Sequence, residues 1–252
     1  MIPVKSAREI DAMRRAGAVT GQALLAARRF ITPGVTTRQI DRVVRETIQK
    51  AGAAPSFLHY RGFPASACVS VGEEVIHGIP GSRVLREGDI VSVDAGAYLD
   101  GFHGDAAATF PVGRVSEEAL RLIRETRACF YKGLAAAREG ARVSDISHAV
   151  QRHAEANGFS VVRAFTGHGV GAQLHEDPDV PNFGLPGRGP RLLPGMTLAI
   201  EPMVNAGGFA VRVLSDGWTV VTQDGRLSAH YEHTVLITRG EPERLTAWQE
   251  EE

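Results

Sequence analysis

Several features that would narrow the function of a protein are scarce or missing in this sequence. Its two cysteines, Cys68 and Cys129, could pair, but such sparse use fits a reduced cytoplasm better than a disulfide framework. The formal net charge of −1 favours neither nucleic acid nor an anionic membrane as a partner. No apolar run approaches the roughly 20 residues that a membrane helix needs, and the first residues lack a secretory apolar segment. We therefore expect a cytoplasmic protein that binds neither nucleic acid nor membrane.

The sequence does contain an internal repeat. A helix predicted from about Ser6 to Phe30 precedes Gly34, and a helix predicted from about Ser116 to Glu139 precedes Gly140. Isoleucine, valine and glycine follow each of these two glycines at steps of 6, 10 and 18 residues. The offset between the two copies is 106 residues.

The predicted strands repeat at almost the same offset. The segment Gly88–Asp94 matches Gly195–Glu201, and each segment is a glycine, an apolar-rich strand and a carboxylate six residues after the glycine. Coincidence of common patterns is the competing explanation, but two features at nearly one offset favour a true repeat. We expect two pseudo-symmetric halves, roughly 6–112 and 116–239, each with two helices followed by antiparallel hairpins. The predicted fold is a single α+β domain over 1–252, with helices covering one side of a sheet.

Apolar residues at helical spacing predict which faces of the two long helices are buried. The predicted face of the first helix consists of Ile10, Met13, Gly17 and Leu24. The predicted face of the second long helix consists of Leu120, Ile123, Phe130 and Leu134. Ser6 and Glu9 have the spacing of a capping box, which indicates where the first helix begins.

Two carboxylates lie where a hairpin would bring them together. Asp94 ends a predicted apolar strand, where an unpaired charge costs several kcal/mol or so. Asp100-Gly101 is a strong signal for a two-residue turn, which would place position 107 opposite Asp94. Asp105 would then be a diagonal neighbour on the same face, roughly 7–8 Å away. Two carboxylates at that distance can share a pair of metal ions.

The second half supplies further candidate ligands. Glu201 occupies the strand position equivalent to Asp94, and Glu232 precedes an apolar strand. His168 stands between glycines, which allow close approach of a ligand or of backbone. Four carboxylates and one imidazole suit two divalent ions such as Mn, Fe, Co or Zn. The lack of cysteine among these residues argues against a structural zinc site.

Taken together, these residues resemble the type I methionine aminopeptidases of the pita-bread metallopeptidases. The resemblance covers about 6–239 and has its most specific signature in Gly167–Gly171 with His175 following. Its other signatures are Tyr60-Arg61-Gly62-Phe63-Pro64, His77-Gly78-Ile79-Pro80, Asp94 with Asp105 eleven residues later, Ile200-Glu201-Pro202 and Tyr231-Glu232-His233-Thr234. The family fold is two pseudo-symmetric halves around a dinuclear metal centre, in agreement with the repeat.

The resemblance implies a role for each candidate ligand. Asp105 and Glu232 would bridge two metal ions. His168 and Glu201 would complete the coordination of one ion, and Asp94 would chelate the other. A hydroxide bridging the two ions would be the nucleophile, since bound metal lowers the pKa of water. Glu201 would also carry a proton to the leaving amine.

The resemblance also implies the substrate and its binding residues. His77 and His175 would hydrogen-bond the scissile amide and stabilise the tetrahedral oxyanion. The substrate would be the N-terminal methionine of a nascent polypeptide whose second residue is small. The family's methionine-pocket positions map onto Tyr60, Phe63, Cys68, Leu174 and Trp218. Phe63 lacks a tyrosine hydroxyl and Leu174 stands where phenylalanine is common, and both residues keep the pocket apolar. A monomer that docks transiently on ribosomes is expected.

The hairpin signal at Asp224-Gly225 bears on one pocket residue. A turn at these residues would place Trp218 opposite Tyr231 and on the face away from Glu232, unless a bulge intervenes.

Other functions on the same fold are weighed against this prediction. A prolidase or Xaa-Pro aminopeptidase carries an added N-terminal domain, which we do not expect because the first helix begins near Ser6. A type II enzyme has a helical insertion, and the 26 residues from His175 to Glu201 are too few for one. A non-catalytic binding protein would have eroded ligand positions, whereas all five are intact here.

Overall fold

A computed structural model describes residues 2–248, so Met1 and 249–252 of the expected domain lie outside the described part. The helices in that part are α1 (Ala7–Phe30), α2 (Thr37–Lys50), α3 (Glu117–Ala136) and α4 (Val143–Ala156), with a short 3-10 turn at Tyr60–Gly62. The strands are β1 (Ala54–Pro55), β2 (Ala67–Val71), β3 (Glu74–Ile76), β4 (Ile90–Leu99), β5 (Phe102–Pro111), β6 (Ser160–Val161), β7 (Thr166–Gly169), β8 (Glu176–Pro181), β9 (Thr197–Ile200), β10 (Met203–Asn205), β11 (Val211–Val213), β12 (Val220–Thr222), β13 (Ser228–His230), β14 (Glu232–Leu236) and β15 (Glu243–Arg244).

Helix α1 begins where the capping box predicted it. The Glu9 carboxylate accepts a hydrogen bond from the Ser6 backbone N–H at 2.7 Å, and the Ser6 hydroxyl accepts from the Glu9 N–H. The buried face of the helix includes Met13, Gly17 and Leu24, as the apolar spacing predicted. Because Gly104 has no side chain, α1 can lie directly against β5: a Cβ added at Gly104 would meet the backbone of Gly17 at 2.7 Å.

The predicted face of α3 was partly wrong. Phe130 is fully buried, but Leu120 is 49% exposed. The buried face consists of Ala119, Leu122, Thr126, Cys129, Phe130 and Gly133. Small residues are buried there because α4 packs closely: a Cβ added at Gly133 would lie 3.0 Å from the Val150 side chain. Apolar spacing alone does not reveal a face that is selected for small size.

The main sheet has nine strands and repeats the two halves of the sequence. Its central part runs β2-β4-β5 from the first half and then β14-β9-β7 from the second half. The two halves meet at the antiparallel pair β5 and β14, where Ala107 is opposite Glu232. The remaining strands of this sheet are β1, β8 and β15, and two three-stranded sheets are formed by β13-β10-β6 and β11-β12-β3.

The hairpin of β4 and β5 has the predicted register. Asp100 and Gly101 form its two-residue turn with φ angles of 52° and 88°, as expected for this turn type. Asp94 is opposite Ala107, as predicted. However, Asp94 lies in the middle of β4 and not at the end of the strand. The strand continues because β1 pairs with its last residues.

The apolar core lies between the helices and the main sheet. Its largest fully buried side chains are Phe130, Met13, Leu24, Ile40, Ile48, Leu85, Ile90, Leu122, Ile146, Leu192, Leu198 and Ile200. Cys68 and Cys129 are both buried and free, so the pairing left open by the sequence is not formed. None of the described helices combines the length and the apolar character needed to cross a membrane.

Candidate active site

The four predicted carboxylates converge at the centre of the main sheet. Asp94 lies on β4, Asp105 on β5, Glu232 at the start of β14 and Glu201 directly after β9. All four line one cavity of about 150 Å³. Asp105, Glu201 and Glu232 are buried, which is unusual for acidic side chains unless they are paired or coordinate a metal.

Neighbouring hydrogen bonds fix the backbone at two of these residues. The Asp105 backbone N–H donates to the Thr234 hydroxyl, which in turn donates to the Asp105 carbonyl, both at 2.9 Å. The Asn182 side-chain amide donates to the Glu201 carbonyl at 2.9 Å. The carboxylates are therefore held on a rigid framework that links both halves of the chain.

The glycines beside His168 are required by close packing of strands. A Cβ at Gly167 would meet the Ala199 carbonyl oxygen at 2.3 Å, and a Cβ at Gly169 would meet the Asp177 carbonyl oxygen at 2.3 Å. Strand β7 lies between β8 and β9, so neither neighbour leaves space for a side chain. The Gly-His-Gly sequence thus seats His168 deep in the sheet.

The ring orientation of His168 is set by one hydrogen bond. Its Nδ1–H donates to the Gly169 carbonyl at 2.8 Å, and Nε2 is therefore left with a free lone pair. Nε2 lies 3.5 Å from Glu201 Oε1 and 3.8 Å from Asp105 Oδ2. Burial lowers the pKa of His168 to about 3, so its imidazole is neutral near pH 7.

Burial and mutual repulsion make the carboxylate cluster electrostatically unfavourable. Burial raises the pKa of Asp105 to about 7. Burial, with the charge of Asp105, raises the pKa values of Asp94, Glu201 and Glu232 well above the ordinary range. Within residues 2–248, Asp94 Oδ1, Asp105 Oδ1 and Glu232 Oε1 are buried without a hydrogen-bond partner. A nearby positive charge would relieve this arrangement.

The same side chains fit divalent metal ions. Asp105, His168 and Glu232 have ligand atoms within 4.8 Å of one another, as do Asp94, His230 and Glu232. The two groups share Glu232. Carboxylate oxygens with imidazole nitrogen suit ions such as Mn, Fe, Co and Zn. The orphaned oxygens and the donor set together indicate that this centre binds divalent metal.

An apolar wall adjoins the carboxylates. Phe63, Cys68 and Leu174 are at most 5% exposed and pack together in one cluster. Trp218 packs edge-on against Phe63 with ring centroids 5.1 Å apart. Burial, with the charges of nearby carboxylates, raises the pKa of the Cys68 thiol, which therefore stays uncharged. Tyr60 completes the wall and stacks on the His175 ring.

Trp218 reaches this wall by a pairing that its local sequence does not reveal. The turn at Asp224-Gly225 does not set Trp218 opposite Tyr231, because β12 pairs with β11 and with β3 from the first half. The register between β12 and β3 also shifts at Val220, two residues after Trp218. This long-range pairing turns the indole toward the cavity.

The two histidines outside the carboxylate cluster also border the cavity. His77 has a left-handed backbone with φ of 58°, a conformation that is costly for residues with side chains and is often found at functional sites. Burial, together with the neighbouring His175, lowers the pKa of His77 to about 4. The His175 ring lies against His168, with centroids 3.9 Å apart.

The structure brings every predicted site residue to the same cavity. Its lining includes Tyr60, Phe63, Cys68, His77, Asp94, Asp105, His168, Leu174, His175, Glu201, Trp218 and Glu232. Five further lining residues were not predicted from the sequence, namely Phe57, Arg61, Ile76, Phe165 and Thr166. His230, which approaches Glu201 and Glu232, was not predicted either. Alternation along the chain could have indicated His230, because it lies two residues before Glu232.

Comparison with known proteins gives one consistent result. A family model described as metallopeptidase family M24 matches residues 11–239. A methionine aminopeptidase of Clostridium perfringens is 57% identical over 246 residues, which cover 98% of this chain and 99% of that protein. A methionine aminopeptidase 1 of Bacillus subtilis is 53% identical over 238 residues, covering 94% and 96%. The crystal structure of a methionine aminopeptidase from Thermotoga maritima has a TM-score of 0.96 at 47% identity, covering 98% and 99%.

The chain therefore belongs to metallopeptidase family M24, a class of metal-dependent hydrolases. Within that class it falls among the methionine aminopeptidases of type I, because the identities extend over nearly the full length of both proteins. The pita-bread fold implied by the family resemblance, with the two halves expected from the sequence repeat, is confirmed. The comparisons favour this group over the Xaa-Pro peptidases and over a non-catalytic binding protein.

Proposed function

We propose that this protein hydrolyses the peptide bond after the N-terminal methionine of nascent polypeptides, when the second residue is small. The observation that carries the proposal is the buried carboxylate cluster, with unpartnered oxygens, at one wall of an apolar cavity. A cavity of this volume elsewhere holds one benzene-sized apolar group, a size similar to a methionine side chain. The residues that bind methionine would thus lie next to the carboxylates that carry out the cleavage.

Two divalent ions are proposed for the centre. Asp105 and Glu232 would be shared by both ions, His168 and Glu201 would complete one, and Asp94 would hold the other. Glu232 has ligand atoms within 4.8 Å of those of Asp105 and His168 on one side and of Asp94 on the other, and this arrangement supports two ions. When bound, the ions would supply the Lewis acidity that lowers the pKa of a water molecule to near neutral. Co, Mn, Fe and Zn all match the donor set.

Glu201 would move the proton between the attacking water and the leaving amine. Its side chain lines the cavity, and burial, with the charges of Asp105 and Asp94, raises its pKa, which favours a carboxylate that accepts a proton. His77 and His175 would donate hydrogen bonds to the carbonyl oxygen as negative charge develops on it. The lowered pKa of His77 keeps its ring neutral, so that it can donate from one nitrogen without carrying a charge.

The apolar wall would bind the methionine side chain. Phe63 and Leu174 offer hydrocarbon surface, and Trp218 and Tyr60 offer aromatic edges and faces to the thioether. Sulfur in contact with an aromatic ring contributes about 0.3–1.5 kcal/mol. The free thiol of Cys68 lines the cavity and is small and uncharged, so it leaves room for an unbranched side chain.

We further infer that the chain acts as one catalytic domain over 1–252, as a monomer in the cytoplasm that meets ribosomes only transiently. The pairing of β5 with β14 supports a single domain, because it joins the two halves in one sheet. The sparse, unpaired cysteines support a reducing compartment.

Peptide cleavage by metal-free and metal-reconstituted enzyme tests the proposal. Chelation should abolish cleavage of Met-Ala-Ser, and Co, Mn, Fe or Zn should restore it, because the carboxylate cluster alone has no nucleophile. Full activity in excess chelator, with no metal by elemental analysis, would exclude a metal mechanism. Leu-Ala-Ser and Ala-Pro peptides are the controls, and preferred cleavage of Ala-Pro would reassign the chain to the Xaa-Pro peptidases.

A fourth peptide tests the second position. Met-Ile-Ser should be cleaved far more slowly than Met-Ala-Ser, because isoleucine is branched at Cβ and has few rotamers that relieve a clash beside the metals. Comparable rates for the two peptides would contradict the proposed preference for a small second residue.

A further inference from the structure

One buried histidine near the carboxylates has no function in the proposed reaction. The His230 side chain is 2% exposed, and His230 is not among the residues that line the cavity. Its Nε2 lies 3.8 Å from Glu201 Oε2 and 3.8 Å from Glu232 Oε2. It therefore approaches the two carboxylates from outside the cavity, from the side that we call the closed side.

Neither ring nitrogen of His230 has a hydrogen-bond partner among the described residues. Buried polar groups are normally paired, so an orphaned imidazole calls for an explanation. The 3.8 Å separations exceed a normal hydrogen bond, but a displacement of under about 1 Å would bring either carboxylate oxygen within range. A buried imidazole without a hydrogen-bond partner lowers the stability of the fold. Its position allows it to interact with the carboxylates of Glu201 and Glu232.

Hydrogen bonds hold the backbone at His230 in place. The His230 N–H donates to the Thr109 hydroxyl, and that hydroxyl donates to the His230 carbonyl, both at 2.9 Å. His230 also pairs with Met203 across β13 and β10. Because the backbone is held in place on both sides, small rotations of the side chains would close the separation between the imidazole and a carboxylate.

A comparison with His168 distinguishes two roles for His230. His168 lines the cavity and donates Nδ1–H to a backbone carbonyl, which orients Nε2 as a metal ligand. His230 has neither property, although one of its nitrogens lies near Asp94 and Glu232 as a ligand atom would. The geometry therefore favours a hydrogen bond to the carboxylates over direct coordination of an ion.

We propose that His230 is a positioning residue, whose Nε2–H hydrogen-bonds the carboxylate of Glu201 or Glu232 from the closed side and orients it for metal binding. The inference rests on the proposed function, since it assigns these carboxylates to the metal centre. Partners of this kind behind metal ligands typically contribute 10–100-fold to metal affinity or activity.

The test measures Co²⁺ affinity, by calorimetry and visible absorption, and the kinetics of Met-Ala-Ser cleavage. In His230→Leu we expect Co²⁺ affinity about 10–100-fold weaker, and a lower kcat with little change in KM. His230→Gln should recover most of both losses, because its amide can also donate to a carboxylate oxygen. His153→Gln is the control, since His153 lies on α4 and contacts Glu125 instead. Unchanged affinity and kcat in His230→Leu would overturn the proposal.

Thermal unfolding of the metal-free variants separates positioning from a structural role. An apolar side chain in place of an unpaired buried imidazole should leave the Tm of metal-free His230→Leu unchanged or raise it. A structural histidine would instead lower the Tm of the metal-free protein, and that result, with metal affinity retained by the folded fraction, would contradict the proposal.

Paramagnetic NMR of the Co²⁺-loaded protein tests direct coordination. We expect one hyperfine-shifted imidazole N–H signal, from His168, which persists in His230→Gln. A second such signal that disappears in His230→Gln would make His230 a ligand and overturn the positioning role. The proposed function fails in a different way, namely if the wild-type protein binds no Co²⁺ at all.

Discussion

The two halves of the chain follow the same backbone path with matched hydrogen bonds. The Gly34 N–H donates to the Leu85 carbonyl at 2.8 Å, and 106 residues later the Gly140 N–H donates to the Leu192 carbonyl at 2.9 Å. Both glycines are left-handed, with φ of 93° and 82°. In each half, the hydrogen bond joins the residues before the second helix (α2 or α4) to the residues before the strand that leads to the carboxylate (β4 or β9).

The side chains on this common scaffold differ. Asp94 and Glu201 occupy equivalent strand positions, but Asp94 is opposite Ala107, whereas the register of β9 and β14, continued by one residue, puts Glu201 beside Glu232. The first half has its second carboxylate, Asp105, two residues along the opposite strand instead. The β4–β5 hairpin therefore offers its carboxylates diagonally and the β9–β14 pair offers them directly across, so the cluster is not symmetric.

The imidazole in the cluster also belongs to one half only. His168 pairs with Ala199 on β9, and the equivalent pair in the first half is Ser70 with Ser92 on β4. The Ser70 hydroxyl accepts a hydrogen bond from the Gly78 N–H, so it serves the backbone and not the cavity. The repeat thus specifies the fold, while the chemistry resides at positions where the halves have diverged.

Substitution of the two equivalent acids should show the largest difference between the halves. Glu201→Gln should reduce kcat by about 10²–10⁴-fold even at saturating metal, because the proposed proton carrier is lost. Asp94→Asn should mainly weaken the binding of one ion, so excess metal should restore much of its activity. Rates measured across a metal titration check both results.

The outcome for these two acids separates their roles clearly. Equal recovery of both variants by metal would mean that Glu201 acts only as a ligand. Unchanged turnover in Glu201→Gln would remove it from the mechanism.

The two histidines beside the cavity come from different halves and should behave alike. His77→Ala and His175→Ala should each lower kcat by about 10²–10³-fold, as expected for loss of one donor to the oxyanion. Metal content should be unchanged, since neither residue is proposed as a ligand. Kinetics combined with elemental analysis give the measurement, and loss of metal in His175→Ala would make that residue a ligand.

Sequence reasoning located the parts of the site that depend on local geometry. The Asp100-Gly101 turn fixes the register of its hairpin, so the diagonal relation of Asp94 and Asp105 followed from counting residues. The glycines beside His168 predicted close packing of backbone. In the structure, β8 and β9 are so close to that segment that neither glycine could carry a Cβ.

The parts that were missed depend on long-range pairing. Trp218 is oriented by pairing of β12 with β3, which is more than a hundred residues away in the chain, and by a shift in register. His230 lies in β13, which pairs with β10, next to the break before β14. Leu120 is exposed because α3 presents small residues to α4. No local pattern encodes the contacts of Trp218 and Leu120, whereas the two-residue spacing of His230 and Glu232 is a local signal for His230.

The stability of the metal-free protein should fall as pH rises from about 6.5 to 8. The pKa of Asp105 is raised from 3.8 to about 7 in the folded state, so its contribution to stability is fully present below 3.8 and is lost as pH rises to about 7. The pKa values of Asp94, Glu201 and Glu232 are raised as well, and their contributions are lost at higher pH. The pKa values of His168 and His230 are lowered from 6.5 to about 3 in the folded state. These histidines therefore destabilise the fold only below about pH 6.5, where they bind protons in the unfolded chain but not in the folded one. Between 6.5 and 8 the carboxylates therefore determine the sign.

Denaturant unfolding with and without metal measures this effect. Bound metal should reverse the trend, because ligands must be deprotonated and metal affinity rises with pH. Asp105→Asn should flatten the slope of the metal-free protein. Rising stability of the metal-free wild type over this interval would contradict the raised pKa of the cluster.

The smallest expected effect tests whether the two scaffolds are equivalent. Gly52 and Gly158 occupy matching positions after the second helix of each half, both with φ of 76° and with open space where a Cβ would lie. Alanine at either site meets no neighbour and is destabilised only by the left-handed backbone, by about 1–2 kcal/mol. Gly52→Ala and Gly158→Ala should therefore lower the free energy of unfolding equally and leave kcat unchanged. Gly240→Ala, where φ is not left-handed, is the control and should have little effect. A clear difference between the free energies of unfolding of the two variants would contradict this equivalence. The two halves would then share a backbone path without sharing its energetics.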